Sequence, residues 1–201
     1  IQSRTGIVQR HVVAKDEASS DISTRIANSL LEESQMSPDD LDLILVGTVT
    51  PDHFTPSTAA LVQKNIKANN AWGYDLSAAC SGFLFGLETG ANFIASGRYK
   101  KVMVIGVDTM TSILDFQDRD TCVIFGDGGG GVILEPTSDG NGIVDSILHM
   151  DGSGGDYLIV PGGGSRIPAS VESVEKRKHN IKQDGKTVFK NAVKGLSLIH
   201  K

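Results

Sequence analysis

The sequence has few of the features that would tie it to a structural metal, a membrane or a nucleic acid. Only two cysteines occur in 201 residues, Cys80 and Cys122, and no CxxC spacing is present, which argues against a disulfide framework or a structural zinc site. No apolar run approaches the roughly 20 residues that cross a bilayer. The net charge of -5 disfavours a broad nucleic-acid-binding surface. We therefore expect a protein of a reducing compartment such as the cytoplasm, without a metal, a nucleic-acid partner or a membrane segment.

Aromatic residues are also scarce, at 5% of the chain, whereas glycine is abundant, with 23 residues. The apolar content of 39% is enough to bury a core in a chain of this length. The many glycines therefore indicate tight turns and close backbone packing more than disorder.

Segments typical of helices and strands alternate from residue 17 to residue 134. The best-defined helix spans residues 17–35, where apolar residues recur at helical spacing and Ser20 or Asp21 is placed to cap the first turn. Two more helices are predicted at 57–66 and 80–95. Strands are predicted at 41–49, 72–76, 102–107, 122–125 and 132–134. This alternation predicts a layered α/β fold with a largely parallel sheet.

The composition changes after Leu134. Connections rich in glycine, serine and aspartate follow, and they predict loops around a short hairpin. Residues 172–182 carry mixed charges and predict a solvated surface segment. Residues 185–196, GKTVFKNAVKGL, begin an amphipathic helix.

The segment most informative about chemistry is residues 75–97, DLSAACSGFLFGLETGANFIASG. A strand there passes through a turn of small residues into a helix that opens at Cys80. Unpaired backbone N–H groups and the positive end of the helix dipole stabilise negative charge, so a thiolate nucleophile suits this position. The alternative is that Cys80 is a small buried apolar residue, as most free cysteines are.

Three glycines, Gly82, Gly86 and Gly90, recur at four-residue spacing on one face of this helix. Glycine inside a helix costs about 0.5 to 1 kcal/mol relative to alanine, so three on one stripe predict a helix packed closely against other backbone. Cys122, by contrast, lies in the apolar run TCVIF with no helix start after it, and we interpret it as structural.

The Cys80 segment resembles the active-site element of the β-ketoacyl-acyl-carrier-protein synthase III family of thiolase-fold condensing enzymes. Four more segments resemble that family in the same order, namely RTGIVQRH at 4–11, TPDHFTPSTAALVQ at 50–63, DFQDRDTCVIFGDGGGGVIL at 115–134 and GKTVFKNAV at 185–193. Together they cover nearly the whole chain. The resemblance implies a thiolase-like fold and predicts that residues 1–184 form its N-terminal half, with residues 185–201 starting the C-terminal half.

The resemblance also implies an activity. Cys80 would take the acyl group of an acyl-CoA primer, and the acyl enzyme would condense with malonyl-acyl-carrier protein as carbon dioxide leaves, which starts fatty acid biosynthesis. CoA thioester is then a substrate and no cofactor is expected. The family implies a homodimer as well.

The resemblance assigns four further site residues. Arg4 and Arg119 match positions that hold the nucleotide end of CoA, although without the family each is as readily a surface ion-pair partner. Thr55, in a loop that reaches across the family's dimer interface, and Phe125 are expected at the acyl pocket; Thr55 is alternatively a simple turn residue.

The segment FGDGGGG at 125–131 suggests a phosphate loop, but it lacks the Lys-Ser/Thr ending and a following helix. The resemblance implies instead a tight turn between adjacent strands beside the pocket. Gly129 and Gly131 stand where the family more often has alanine, which would loosen this turn slightly.

The family pairs its cysteine with a histidine and an asparagine, and neither motif is found in this sequence. We assign none of the histidines to catalysis; they are His11, His53, His149, His179 and His200. The 201 residues alone are therefore expected to be inactive in condensation. Two alternatives stay open: another thiolase-superfamily synthase, such as a 3-hydroxy-3-methylglutaryl-CoA synthase or a polyketide or quinolone starter enzyme, and a non-catalytic fragment that dimerises.

Overall fold

The computed structural model describes residues 1–196, with the side chains of Arg4 and Leu196 outside that description. The last part of the predicted second half, from residue 197 on, therefore lies outside the described residues. The chain divides into two units. The sheet unit consists of His11–Thr109 and Asp127–Leu148, and the second unit consists of Ile1–Arg10, Met110–Gly126 and the chain from His149 onward.

A mixed four-stranded sheet forms the centre of the sheet unit. Its strands are β1 (Leu43–Gly47), β2 (Trp72–Leu76), β3 (Val102–Thr109) and β4 (Asp127–Leu134), in the spatial order β2-β1-β3-β4. β1 pairs in parallel with β2 and with β3, whereas β4 pairs antiparallel with β3. The predicted mostly parallel sheet is confirmed.

Helices cover both faces of this sheet. α2 (Ser19–Ser34) and α3 (Thr58–Ile66) lie on one face, and α4 (Gly82–Ala95) lies on the other. All five residues of β1 are buried because the strand is central and covered on both faces. Its side chains alternate accordingly: Ile44 and Val46 belong to the core under α2 and α3, and Leu43 belongs to the core under α4.

The cap of α2 differs from the sequence prediction. The N-cap residue is Ala18, which has no side chain able to accept a hydrogen bond. Asp21 lies three residues later, and its carboxylate accepts the Ala18 N–H at 2.9 Å. Asp52 accepts the backbone N–H of Ser20 at 2.9 Å and its hydroxyl at 2.7 Å. A distant loop therefore supplies the acceptor that Ala18 lacks.

Two predictions around residues 122–131 are wrong. Cys122–Phe125 is not a strand: the N–H groups of Cys122 and Phe125 bond to carbonyls four residues back, those of Asp118 and Thr121, so the apolar run coils into turns. The glycine-rich segment is not a turn between strands either, because Asp127–Gly131 lies within β4.

Glycine has a packing role in β4. A Cβ at Gly129 would lie 2.9 Å from Ile26 Cδ1, and one at Gly131 would lie 3.0 Å from Ile26 Cγ2. The bare strand thus lets α2 lie close to the sheet, and the predicted loosening of a turn does not apply.

The second unit is built from short elements. It contains α1 (Gln2–Thr5), the paired strands β5 (Leu158–Ile159) and β6 (Lys182–Gln183), α5 (Val171–Glu175) and α6 (Gly185–Leu196). The predicted amphipathic helix is confirmed as α6. The predicted hairpin among residues 140–165 is wrong, because β5 pairs with β6, and 22 residues separate these two strands.

Candidate active site

Cys80 lies at the carboxyl edge of the parallel strands, where an abrupt turn joins β2 to α4. A short 3-10 helix, Ala79–Ser81, occupies the turn. Ala79 has a φ of 46°, in the left-handed region that residues other than glycine seldom adopt. Such strained backbone is commonly found where a fold must present one side chain for chemistry.

Two glycines allow the turn to lie close to the sheet. Gly82 is the first residue of α4, and its ideal Cβ would lie 3.2 Å from the Cα of Gly47, at the end of β1. A Cβ at Gly47 would lie 2.6 Å from the carbonyl carbon of Gly82. The helix start therefore contacts the strand backbone directly, as the sequence predicts.

The glycine stripe continues along α4. A Cβ at Gly86 would lie 2.8 Å from Val104 Cγ1, and one at Gly90 would lie 2.8 Å from Leu134 Cδ1. These two residues and Gly82 are the buried residues of the helix. The prediction of a helix held tightly against the core through one glycine face is confirmed.

The two cysteines differ in exposure: Cys80 is exposed and Cys122 is half-buried. The alternative that Cys80 is a small buried apolar residue is therefore wrong for this chain. An exposed thiol beside the first turn of a 14-residue helix is accessible to a substrate and lies next to the positive end of the helix dipole.

The opposite end of α4 carries a groove of about 590 Å³. Its aromatic lining includes Tyr74, Phe93 and Tyr99, and Phe93 meets Tyr99 edge-on with ring centroids 5.4 Å apart. Burial raises the pKa of Tyr74. The outer face of the helix is partly uncovered, and Leu84 is 58% exposed.

The other predicted site residues lie apart from the turn in the chain. Thr55 occupies an exposed loop after β1, next to Phe54, which is 92% exposed. Arg119 is exposed and Phe125 is half-buried, both in the second unit. The side chain of Arg4 is outside the described part of the chain. The roles given to these four residues remain predictions.

Neither a metal cluster nor a membrane span emerges within residues 1–196. No group of three or more histidine, cysteine, aspartate or glutamate side chains in that range is arranged to hold an ion. No helix within the same range is both long and apolar enough to cross a membrane.

Comparison with known proteins identifies the family. Residues 74–152, which include the Cys80 turn and β4, match the family model of 3-oxoacyl-[acyl-carrier-protein] synthase III. β-Ketoacyl-[acyl-carrier-protein] synthase III of Koribacter versatilis is 53% identical over 199 residues, which are 98% of this chain and 60% of the relative. The enzyme of that name from Chlorobaculum tepidum is 56% identical over 196 residues, 96% of this chain and 60% of the relative. The chain belongs to the β-ketoacyl-[acyl-carrier-protein] synthase III family.

Solved structures agree with this placement in the synthase III family. The synthase III of Thermus thermophilus superposes with a TM-score of 0.86 at 35% identity, covering 96% of this chain and 59% of that one. The Aquifex aeolicus synthase III gives a TM-score of 0.82 at 37% identity, covering 94% and 56%. The predicted thiolase-like α/β fold is confirmed. This chain spans about 60% of the length of its curated synthase III relatives.

Sequence reasoning missed the polar residues that hold the loop carrying Thr55. They are three aspartates: Asp108 and Asp75 accept backbone N–H groups at the start and at the end of that loop, and Asp52, within the loop, accepts the backbone N–H of Ser20 in α2. The available signal was positional, because Asp75 and Asp108 are each the penultimate residue of a parallel strand.

Proposed function

We propose that this chain carries the acyl-accepting site of a decarboxylative condensing enzyme that starts fatty acid biosynthesis in the cytoplasm. Its substrates would be an acyl-CoA primer and malonyl-acyl-carrier protein, with no cofactor, and the whole enzyme would act as a homodimer. The observation that carries the proposal is the exposed thiol of Cys80 at the start of α4, behind the strained backbone of Ala79. In this proposal residues 1–184 form the half with the nucleophile, and residues from 185 begin the other half.

The proposed chemistry has two steps. The Cys80 thiol first loses its proton, and the thiolate attacks the thioester carbonyl of the primer. A new thioester forms on Cys80, and CoA leaves as a thiolate that takes up a proton. Backbone N–H groups at the turn, that of Cys80 first, would stabilise the oxyanion that develops. In the second step the malonyl group loses carbon dioxide, its carbanion attacks the acyl carbonyl, and Cys80 is released as its thiolate, with the 3-oxoacyl product on the carrier protein.

The two steps can be tested separately on the 201-residue chain. Incubation with radiolabelled acyl-CoA should place label on the protein, because the helix start is present within the chain. Release of carbon dioxide from malonyl-acyl-carrier protein should stay at background, since removing even one donor to an oxyanion typically lowers a rate about 100- to 1,000-fold and the family's histidine and asparagine motifs are missing from the sequence. Condensation at the rate of an intact synthase would show that the chain holds those groups elsewhere.

Arg119 is proposed to contact the phosphates of CoA. Its side chain is exposed, and a guanidinium group can form bidentate hydrogen bonds with a phosphate. Arg119→Ala should weaken CoA binding by about 1 to 3 kcal/mol, the typical loss of a hydrogen bond to a charged group. Isothermal titration calorimetry with CoA measures the change, and Arg98→Ala is the control because Arg98 lies over the Tyr99 ring in the other unit. If wild type and Arg119→Ala bind CoA with equal affinity, Arg119 does not belong to the CoA site. The same measurement on Arg4→Ala tests Arg4.

A second candidate is a starter enzyme of polyketide biosynthesis. The priming β-ketosynthase of the R1128 polyketide pathway superposes with a TM-score of 0.85 at 32% identity, covering 96% of this chain and 57% of that one. Both candidate enzymes would acylate Cys80 in the same way. They would differ in the carrier protein that accepts the acyl group in the second step. A non-catalytic dimerising fragment would take no label from acyl-CoA at all.

A further inference from the structure

The loop that follows β1, residues 49–57, is fixed at its start by one carboxylate oxygen. Asp108 Oδ1 accepts the backbone N–H of Val49 at 2.8 Å and that of Thr50 at 3.2 Å. It also accepts the hydroxyls of Thr48 at 3.1 Å and Thr50 at 2.9 Å. All four bonds end on the same oxygen, which makes Asp108 the attachment point for the first residues of the loop.

The end of the loop is fixed by a second carboxylate that uses both of its oxygens. Asp75 Oδ2 accepts the N–H of Thr58 at 2.7 Å, and Asp75 Oδ1 accepts the N–H of Ala59 at 2.8 Å. These are the first two residues of α3. The bonds satisfy backbone donors that a helix start leaves open, and the charge suits the positive end of the helix.

The topology explains why these two aspartates reach the same loop. β2 and β3 lie on either side of β1 and run parallel to it, so all three strands end at one edge of the sheet. Asp75 and Asp108 lie at that edge, flanking the connection that leaves β1. Asp52, within the loop, adds a third attachment through its bonds to Ser20 of α2.

The tip of the loop makes no comparable hydrogen bond to the part of the chain that the structure describes. Residues 53–56 are all exposed, and Phe54 is 92% exposed. Holding both ends of a loop reduces the conformational entropy that its exposed tip loses when it is ordered on binding. This arrangement differs from a mobile surface loop, whose ordering on binding would cost conformational entropy.

We infer that Asp75 and Asp108 are positioning residues for the primer site: they hold residues 49–57 from both ends, so that Phe54 and Thr55 keep a fixed place and set the room for the acyl chain. The link to the acyl chain rests on the proposed function. The holding of the loop rests only on the contacts above.

Limited proteolysis tests the holding of the loop. Chymotrypsin cleaves after exposed phenylalanine when the chain can unfold locally, so cleavage after Phe54 in the folded 201-residue protein reports loop opening. Asp108→Ala and Asp75→Ala should raise that rate about 10- to 100-fold, the factor that corresponds to losing a charge-assisted hydrogen bond. Asp39→Ala is the matched control, because it removes a carboxylate that accepts a backbone N–H, that of Asn69, away from this loop.

Asparagine variants distinguish a positioning role from general stabilisation. Asp108→Asn keeps an oxygen that can accept all four hydrogen bonds, so the rate of cleavage after Phe54 should stay within about 3-fold of wild type. Asp75→Asn replaces one of two acceptors by an NH₂ donor that faces an N–H group, so it should behave like Asp75→Ala. Equal effects of the two asparagine variants, or cleavage after Phe54 as fast in wild type as in the alanine variants, would overturn the holding of the loop.

The acylation assay tests the link to the primer. Wild type and variants are incubated with labelled acetyl-CoA or octanoyl-CoA. The label on the protein gives the ratio of the acylation rates with the two primers. The alanine variants should shift this ratio about 10-fold, and Asp108→Asn should restore it. An unchanged ratio in variants whose loop opens would overturn the link to the primer. Absence of label in wild type with both primers would contradict the proposed function instead, while the cleavage pattern still decides whether the loop is held.

Discussion

Replacement of Cys80 by alanine is expected to lower acyl transfer from acyl-CoA to the protein by on the order of 10,000-fold or more, as loss of a catalytic nucleophile does in other enzymes. The exposed thiol lies beside the first turn of α4, where the positive end of the helix dipole favours developing negative charge. Intact-protein mass spectrometry measures the acyl adduct. Cys122→Ala is the matched control and should accept acyl groups as wild type does, because Cys122 lies in a half-buried turn.

Alkylation gives a second measure of the same property. Iodoacetamide, added in limiting amount to the folded protein, should modify Cys80 ahead of Cys122, and peptide mapping locates the adduct. Preferential modification of Cys122, or retention of acyl transfer in Cys80→Ala, would contradict the assignment of Cys80 as the nucleophile.

Gly47→Ala is expected to lower the free energy of unfolding by about 3 kcal/mol and to impair the acylation of Cys80 as well. The added methyl group would lie 2.6 Å from the backbone carbon of Gly82 and 2.9 Å from its oxygen. Backbone cannot rotate away as a side chain does, so the start of α4 must shift, and overpacking of this kind costs about 1 to 3 kcal/mol and occasionally more.

Gly130→Ala serves as the control for Gly47→Ala. Gly130 also lies in a strand of the sheet, yet a Cβ there would meet no atom of the described residues within 4 Å apart from its chain neighbours. Urea denaturation of both variants gives the stabilities, and mass spectrometry gives the acylation rates. The interpretation fails if Gly47→Ala is as stable as Gly130→Ala and accepts acyl groups at the wild-type rate.

Much of the fold could be predicted from the sequence because the helices and strands of the sheet unit have clear periodicity. β2 begins and ends at the predicted residues, Trp72 and Leu76, and α3 begins one residue after the predicted start. The glycine stripe of α4 could be predicted as well, since only a close backbone contact explains three glycines on one helix face.

The region around residues 118–131 could not be predicted, for two physical reasons. An apolar run such as TCVIF has the same local pattern in a strand as in a half-buried turn, and hydrogen bonds to Asp118 and Thr121 decide between them. Four consecutive glycines have no side-chain pattern at all, so their place in β4 follows only from pairing with β3.

The carboxylates that hold residues 49–57 could not be predicted from the sequence for a different reason. Asp75 and Asp108 lie on different strands, far apart in sequence, and they act on a segment that precedes both. Their partners are backbone N–H groups, which every residue except proline has, so no residue pattern indicates the pairing. Only the order of the strands in the sheet brings them to the same loop.

The contact between Gly47 and Gly82 has a consequence for motion at the site. Side chains that separate a helix from a sheet can change rotamer within picoseconds to nanoseconds, and the helix can shift slightly with them. No side chain lies between these two backbones. On those timescales the start of α4 should therefore move together with β1, as one rigid body, and Cys80 should fluctuate little more than the central strand. Nuclear magnetic resonance order parameters of the Gly82 and Gly47 amides should then be nearly equal, and adjustment to primers of different length would fall to the surrounding loops.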